Sequence, residues 1–251
     1  MILISILIAV AIIIGLLGLS VYMLRPETEK TRSFAAFDNT MIAHRGLFNN
    51  NSDAPENSLA AFRNALEHGF GMELDVQLTK DGKLVVFHDF DLKRMCGVHK
   101  KLTELTYAEL EQYSLKNSTE KIPLFSDVLE LVNGKVPLVV EIKVDFDYKA
   151  TTEAAGAMLS EYKGVYCMEC FNPLALVWYR KHFPKVLRGQ LSMDFFQSED
   201  KMPQIVRFFL TNLLLNFWAK PDFISYNHKD RQIRGFRMCR KLFGVKTAAW
   251  T

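Results

Sequence analysis

Seven short apolar runs, at residues 41–44, 72–76, 137–142, 165–170, 186–191, 222–226 and 245–250, alternate along this chain with longer stretches of helical periodicity. That alternation is the rhythm of a parallel barrel or a doubly wound sheet, with helices covering the strands. Helices are expected at 58–68, with Asn57 or Ser58 as cap and Gly69 as stop, and at 125–133, 148–162, 173–182 and 231–243. A further strand-like run at 84–87 follows residue 76 too closely for a parallel crossover, which needs about a dozen residues. Residues 77–123 are therefore expected to leave the main sheet as an insertion, beginning with a hairpin at the Lys80-Asp81-Gly82 turn.

The chemistry-bearing residues gather at the C-terminal ends of these runs, where a (β/α)₈ barrel places its site. The first run ends in His44-Arg45-Gly46, the second carries Glu73-Leu74-Asp75, and the third ends in Glu141-Ile142-Lys143. Residues two apart on a strand share a face, so Glu73 and Asp75 point together, as do Glu141 and Lys143. Counting back from the turn puts His88 of His88-Asp89 roughly opposite Glu73. Three carboxylates from two neighbouring strands form an all-oxygen set suited to a hard divalent ion, Ca²⁺ or Mg²⁺, whereas zinc would bring His or Cys into contact. Two imidazoles titrating near neutrality, His44 and His88, can serve beside it as base and acid.

Taken in order, H-R-G at 44–46, P-E-N at 55–57, E-x-D at 73–75, H-D at 88–89 and E-x-K at 141–143 resemble the glycerophosphodiester phosphodiesterase family. The resemblance runs from about Met41 to the last residue. It implies a TIM-type barrel with an insertion after the second strand, and hydrolysis of a glycerophosphodiester to an alcohol and glycerol 3-phosphate. In the family a glycerol hydroxyl attacks phosphorus to give a cyclic phosphate that water then opens. The resemblance makes His44 and His88 the proton carriers and Glu73, Asp75 and Glu141 the metal ligands, and Trp250 matches an aromatic that commonly lines the site. Arg45 and Lys143 are candidates for gripping phosphate oxygens. Asn57 is expected to secure the loop after the first strand through local hydrogen bonds. Two departures stand out: Cys170-Phe171 replaces a frequent Ser-Phe, and the family pattern continues past Trp250-Thr251 to a final strand that this chain lacks, which leaves seven parallel strands.

The N-terminus carries a second constraint. Residues 1–24 include no charged side chain, and as a helix they would extend about 36 Å, beyond the roughly 30 Å hydrocarbon core of a bilayer. A cleaved signal peptide would start with a basic stretch and end at small residues, but no Lys or Arg precedes Arg25, and Tyr22-Met23-Leu24 stands at the exit. The expected partition is a single-pass anchor at 1–24, a linker at 25–37 and one domain at 38–251. Arg25, Lys30 and Arg32 favour the cytoplasmic side for that domain, while Glu27 and Glu29 count for little in this rule.

Net charge is +3 and no basic block occurs, so nothing argues for nucleic acid, and no obligate protein partner is evident. Cys96, Cys167, Cys170 and Cys239 form no disulfide framework, and Cys167-x-x-Cys170 lies in an apolar strand without a second pair, which reads as core thiols. The expected partners are a glycerophosphodiester or lysophospholipid-like substrate and the bilayer. Two rival readings remain: a catalytically silent barrel that binds headgroups or a partner, and a related phospholipase D-like phosphodiesterase. The stretch 195–218, rich in Phe and Leu, reads as one long apolar helix, and burial in the core is preferred over a bilayer-facing flap.

Overall fold

The computed structural model describes residues 2–28, 32–144, 147–198 and 201–250. Glu29 and Lys30 of the flanking charges and Thr251 of the terminal pair lie outside them. In chain order the elements begin with α1 (Ile2–Met23), α2 (Ala35–Asp38), β1 (Ile42–His44), α3 (Leu59–Glu67), β2 (Gly71–Leu78), β3 (Leu84–Val86), α4 (Lys93–Cys96), α5 (Tyr107–Leu110) and α6 (Phe125–Val132). There follow β4 (Leu138–Ile142), α7 (Tyr148–Glu161), β5 (Tyr166–Cys170), α8 (Pro173–His182) and β6 (Leu187–Ser192). The last elements are α9 (Gln204–Thr211), α10 (Asn216–Ala219), β7 (Phe223–Asn227), α11 (Arg234–Phe243) and β8 (Lys246–Trp250). All seven expected parallel strands form within a residue or two of their expected bounds. The chain divides into two compact units, Thr31–Leu187 and Met1–Lys30 with Arg188–Thr251.

In the Thr31–Leu187 unit, β1, β2, β4 and β5 pair in that order, all parallel. The first seven residues of β2 are buried, as a strand covered on both faces requires. Ser58 caps α3 through its hydroxyl, which accepts from the Ala61 amide, and α3 delivers the chain back to β2 by a right-sized crossover. β3 pairs antiparallel with β2, Val76 opposite Val86 and Leu78 opposite Leu84. The turn between them is closed by Gly82, whose φ of 75° suits glycine, and by the Thr79 hydroxyl donating to Asp81 at 2.7 Å. The insertion packs a core of its own from Val85, Phe87, Leu92, Met95, Leu102, Leu105, Leu110, Leu115 and Ile122.

The ladder corrects one expectation. β3 ends at Val86, and the Phe87 amide still donates to the Asp75 carbonyl at 2.8 Å, so the pairing runs out opposite Asp75. His88 is carried past the ladder and does not sit opposite Glu73.

In the other unit, β6, β7 and β8 are parallel neighbours in that order. Leu24, directly after α1, is 2% exposed and packs with Leu213, Ile224, Tyr226, Phe236 and Cys239. Its carbonyl accepts from the Asn216 amide nitrogen at 3.3 Å, and the Glu27 amide donates to the Pro221 carbonyl at 2.9 Å. The segment that the sequence presents as a polar linker is thus tied into the fold at its start. α1 itself is a 22-residue helix long and apolar enough to cross a membrane, with no buried residue.

The stretch expected as one long buried helix is broken and only partly buried: Phe195, Thr211, Leu213 and Asn216 are buried, whereas Ile205, Val206, Phe208 and Trp218 are exposed. It breaks into α9 and α10 at a turn where Leu213 has a φ of 59°, a left-handed conformation that ends a helix. Of α9 only Thr211 is buried. The periodicity was helical, but a turn residue with a large apolar side chain gives no sequence signal.

Candidate active site

Parallel register assembles the candidate residues of the Thr31–Leu187 unit. His44 stands beside Glu73 across β1 and β2, and Asp75 stands beside Glu141 across β2 and β4. With Glu73 and Asp75 on one face of β2, ligand oxygens of Glu73, Asp75 and Glu141 come within 4.8 Å of one another, all three residues buried. The His44 Nε2 atom lies 3.8 Å from a Glu73 oxygen. Lys143 Nζ is 3.0 Å from Glu141 Oε1 and 3.7 Å from Asp75 Oδ1. On β5, Glu169 falls in register with Glu141 and is also buried, a fourth acid that the sequence reading passed over within an apolar strand.

Glu73, Asp75 and Glu141 face the Lys143 ammonium and the Arg45 guanidinium, whose Nε lies 3.6 Å from Asp75 Oδ2 but which is shared with Glu56, so negative charge stays in excess, which is costly away from water. The titration behaviour follows from it. Burial and repulsion from Asp75 and Glu141 push the Glu73 carboxyl well up. Burial likewise pushes Glu141 up to about 7, with Lys143 opposing the shift. Asp75 is held below the usual carboxylate range: burial works against this, but Lys143, His88 and Arg45 prevail. Burial and the neighbouring Arg45 lower the His44 imidazole. Asp75 Oδ1 is buried and accepts no hydrogen bond among the described residues. An all-oxygen set carrying excess negative charge and one orphaned carboxylate oxygen fits a divalent cation.

The turn after β1 shapes the other wall. Arg45 and Asn57 both have positive φ, 59° and 57°, strained for non-glycine residues. The strain is held by a hydrogen bond from the Asn57 amide to the Arg45 carbonyl at 2.9 Å, and by one from the Arg45 amide to Glu73 Oε2 at 3.0 Å. The Asn57 side chain was expected to act locally, but it reaches eighteen residues along to donate to Asp75 Oδ2 at 2.8 Å, orienting a candidate ligand. Between them Gly46 adopts a φ of 81°, and a Cβ there would stand 2.9 Å from the Ala61 backbone and side chain. Gly46→Ala is expected to cost about 1–3 kcal/mol, checked by chemical denaturation.

His88 is held from the far side. Its Nδ1 lies 2.7 Å from Asp89 Oδ1, and because a carboxylate accepts, Nδ1 carries the proton and Nε2 is left for chemistry. Arg94 on α4, which the sequence reading did not single out, forks onto both sides of the site. It donates to Asp89 Oδ2 at 2.7 Å and Oδ1 at 3.0 Å, and to Glu56 Oε2 at 2.8 Å and Oε1 at 2.6 Å. Glu56 in turn accepts from Arg45 Nη1 at 2.7 Å. Burial alone would raise the Glu56 carboxyl, but hydrogen bonds from Arg94, Asn50 and Arg45 hold it down at about 2. It is the partner of two guanidinium groups. One chain of charge-assisted bonds therefore connects the loop bearing His44 to the loop bearing His88.

Two further expectations concern β5 and β8. The Cys170 thiol does what a serine hydroxyl would: it donates to the Ile142 carbonyl at 3.0 Å and accepts from the Asn172 amide. Burial pushes that thiol up to about 12, and both Cys167 and Cys170 are buried. Trp250 belongs to the other unit, where its indole nitrogen donates to the Ser225 carbonyl at 3.3 Å.

Residues 44–251 match the family model described as the glycerophosphoryl diester phosphodiesterase family. The chain belongs to that family. A glycerophosphodiester phosphodiesterase of Bacillus altitudinis is 31% identical over 172 residues, a match covering 64% of this chain and 69% of that protein. Another, from Caldanaerobacter subterraneus subsp. tengcongensis, is 41% identical over 111 residues, covering 41% of this chain and 44% of its own length. The fold is shared with the solved structure of an Oleispira antarctica phosphodiesterase in complex with the product sn-glycerol-3-phosphate, at a TM-score of 0.69 and 24% identity over 88% of this chain and 87% of that one. The parallel-strand architecture is accordingly the TIM-barrel-like fold of the glycerophosphoryl diester phosphodiesterases. The family's reaction is metal-dependent hydrolysis of glycerophosphodiesters, and its members are phosphoric diester hydrolases.

Proposed function

We propose that this chain is a membrane-tethered glycerophosphodiester phosphodiesterase in which Glu73, Asp75 and Glu141 hold one divalent cation, Ca²⁺ or Mg²⁺, and His44 and His88 transfer the protons. The convergence of the three carboxylates within 4.8 Å, beside an imidazole at 3.8 Å, carries the reading. The cation, when bound, would offset negative charge developing on the phosphoryl oxygens. Arg45 and Lys143 add fixed positive charge at the same spot and serve to grip the phosphate. His88, with Nδ1 committed to Asp89, presents Nε2 for proton transfer, and His44, 3.8 Å from Glu73, is the second proton carrier. By family resemblance, one imidazole takes the proton of the attacking glycerol hydroxyl and the other gives one to the leaving alcohol. The cyclic phosphate so formed is then opened by water to glycerol 3-phosphate. Trp250 enters the proposal by the same resemblance, as an aromatic packing against glycerol.

The tether is α1, with 25–37 as a connection and 38–251 as the catalytic part. The burial of Leu24 supports retention of the helix, because its exit belongs to the core of the unit rather than to an accessible cleavage segment. Arg25 and Arg32, with Lys30, favour the cytoplasmic side. Substrates then include glycerophosphodiesters in solution and lysophospholipid-like molecules at the membrane.

The test is release of glycerol 3-phosphate from glycerophosphocholine by the full chain. Turnover is expected to vanish in chelator and return with added Ca²⁺ or Mg²⁺. A folded protein with no turnover would instead favour a silent headgroup-binding barrel, and turnover indifferent to chelator would remove the cation from the reaction.

A further inference from the structure

α9 is an apolar helix facing outward, yet it is firmly held. Ile205 is 62% exposed, Phe208 47%, and Trp218 on α10 45%, with Val206 also exposed. Ile205 and Phe208 are three residues apart, so they share a face. The end of α9 is pinned inward: the Ser192 hydroxyl donates to the Leu210 carbonyl at 2.9 Å, the Tyr226 hydroxyl to the Thr211 carbonyl at 3.0 Å, and the Phe195 amide to the Thr211 hydroxyl at 3.1 Å. The one charge on the helix, Arg207, is turned back onto the carbonyls of Phe195, Ser198 and Met202. A fixed helix that presents Ile, Val and Phe to its surroundings is not a loosened core helix.

Its neighbour fixes what those surroundings are. α10 packs against the last turn of α1 through Phe217 on Tyr22, ring centroids 5.5 Å apart, and Asn216 donates to the Leu24 carbonyl. Where α1 crosses a bilayer, its last turn stands at headgroup level, and α10 stands there with it. With Arg207 turned inward, the stretch between Lys201 and Lys220 offers its surroundings no charged side chain, which suits an apolar boundary flanked by headgroups. We infer that α9 and α10 lie on the surface of the same membrane that α1 spans, with Ile205, Val206, Phe208 and Trp218 entering the headgroup–acyl boundary. The inference rests on the anchor reading of α1 and on no step of the chemistry. It gives the chain two attachments, one spanning and one lying flat, so that the Arg188–Thr251 unit is seated on the bilayer rather than suspended from it.

The test uses the full chain with Trp178→Phe and Trp250→Phe, leaving Trp218 alone, in phosphatidylcholine–phosphatidylglycerol vesicles with or without acyl-brominated lipid. Bromolipid is expected to quench Trp218 emission at least twofold, and Phe208→Glu to reduce that quenching while the chain still pellets with vesicles after an alkaline wash. Equal emission in both vesicles, with the chain retained in the pellet, would overturn the seating and leave the anchor standing. Release by the wash would overturn the anchor and the seating together. Where the tryptophan variants fold poorly, an NBD probe at Phe208→Cys in a Cys96→Ser chain gives a blue shift in vesicles if the inference holds and none if it fails. Disulfide pairing of Phe208→Cys between two copies would assign the face to a second chain and overturn it.

Discussion

His88→Ala is expected to lower glycerophosphodiester turnover by about two to four orders of magnitude, the usual cost of losing a general acid or base, with little change in folding. The small structural cost follows from position. His88 lies beyond the end of the β3 ladder, and its ring bonds to Asp89, which keeps two hydrogen bonds from Arg94 when the imidazole is gone. His44→Ala is expected to act on the same scale, since its ring stands half-exposed at the mouth of β1 and contributes little to packing. Initial rates over a pH series, with circular dichroism as a folding control, check both. Wild-type-like turnover in either variant would remove that imidazole from the reaction.

The second large effect is expected from Glu141→Gln. The substitution preserves shape and removes one negative charge from a buried cluster of three, so cation affinity falls while the fold persists. Apparent cation affinity is expected to weaken at least tenfold, with part of the rate restored by excess Ca²⁺ or Mg²⁺. Lys143 makes the outcome informative, because its ammonium, 3.0 Å from Glu141, would lose its nearest counter-charge. Coincident cation titration curves for the variant and the parent would remove Glu141 from the ligand set.

The site was partly legible in the sequence because its most telling relations are short-range. Glu73 and Asp75 are two apart on one strand, and Glu141 and Lys143 are two apart on the next, so pleat geometry alone puts each pair on one face. What brings the pairs together is the register of β2 with β4, and apolar runs of similar length imply neighbouring strands without stating which residue meets which. For that reason Asn57 reads from the sequence only as a local loop residue, and Arg94 does not stand out at all. Asn57 acts on a carboxylate eighteen residues away, and Arg94 on one thirty-eight residues away, with nothing periodic to connect them. α9 misled for the opposite reason: its apolar face is real, but periodicity reports that a face is apolar and not what covers it.

The insertion between β2 and β4 is held together by its own apolar cluster, and Arg94 is rooted in it. A segment with a separate core opens and closes on its own free-energy scale, distinct from melting of the parallel strands. Because the guanidinium that aligns Asp89, and through it His88, rides on that segment, loosening of it is expected to release the proposed proton carrier while the carboxylates of β2 and β4 stay together. The lifetime of that arrangement is therefore expected to follow the packing of the insertion as well as the global stability of the chain.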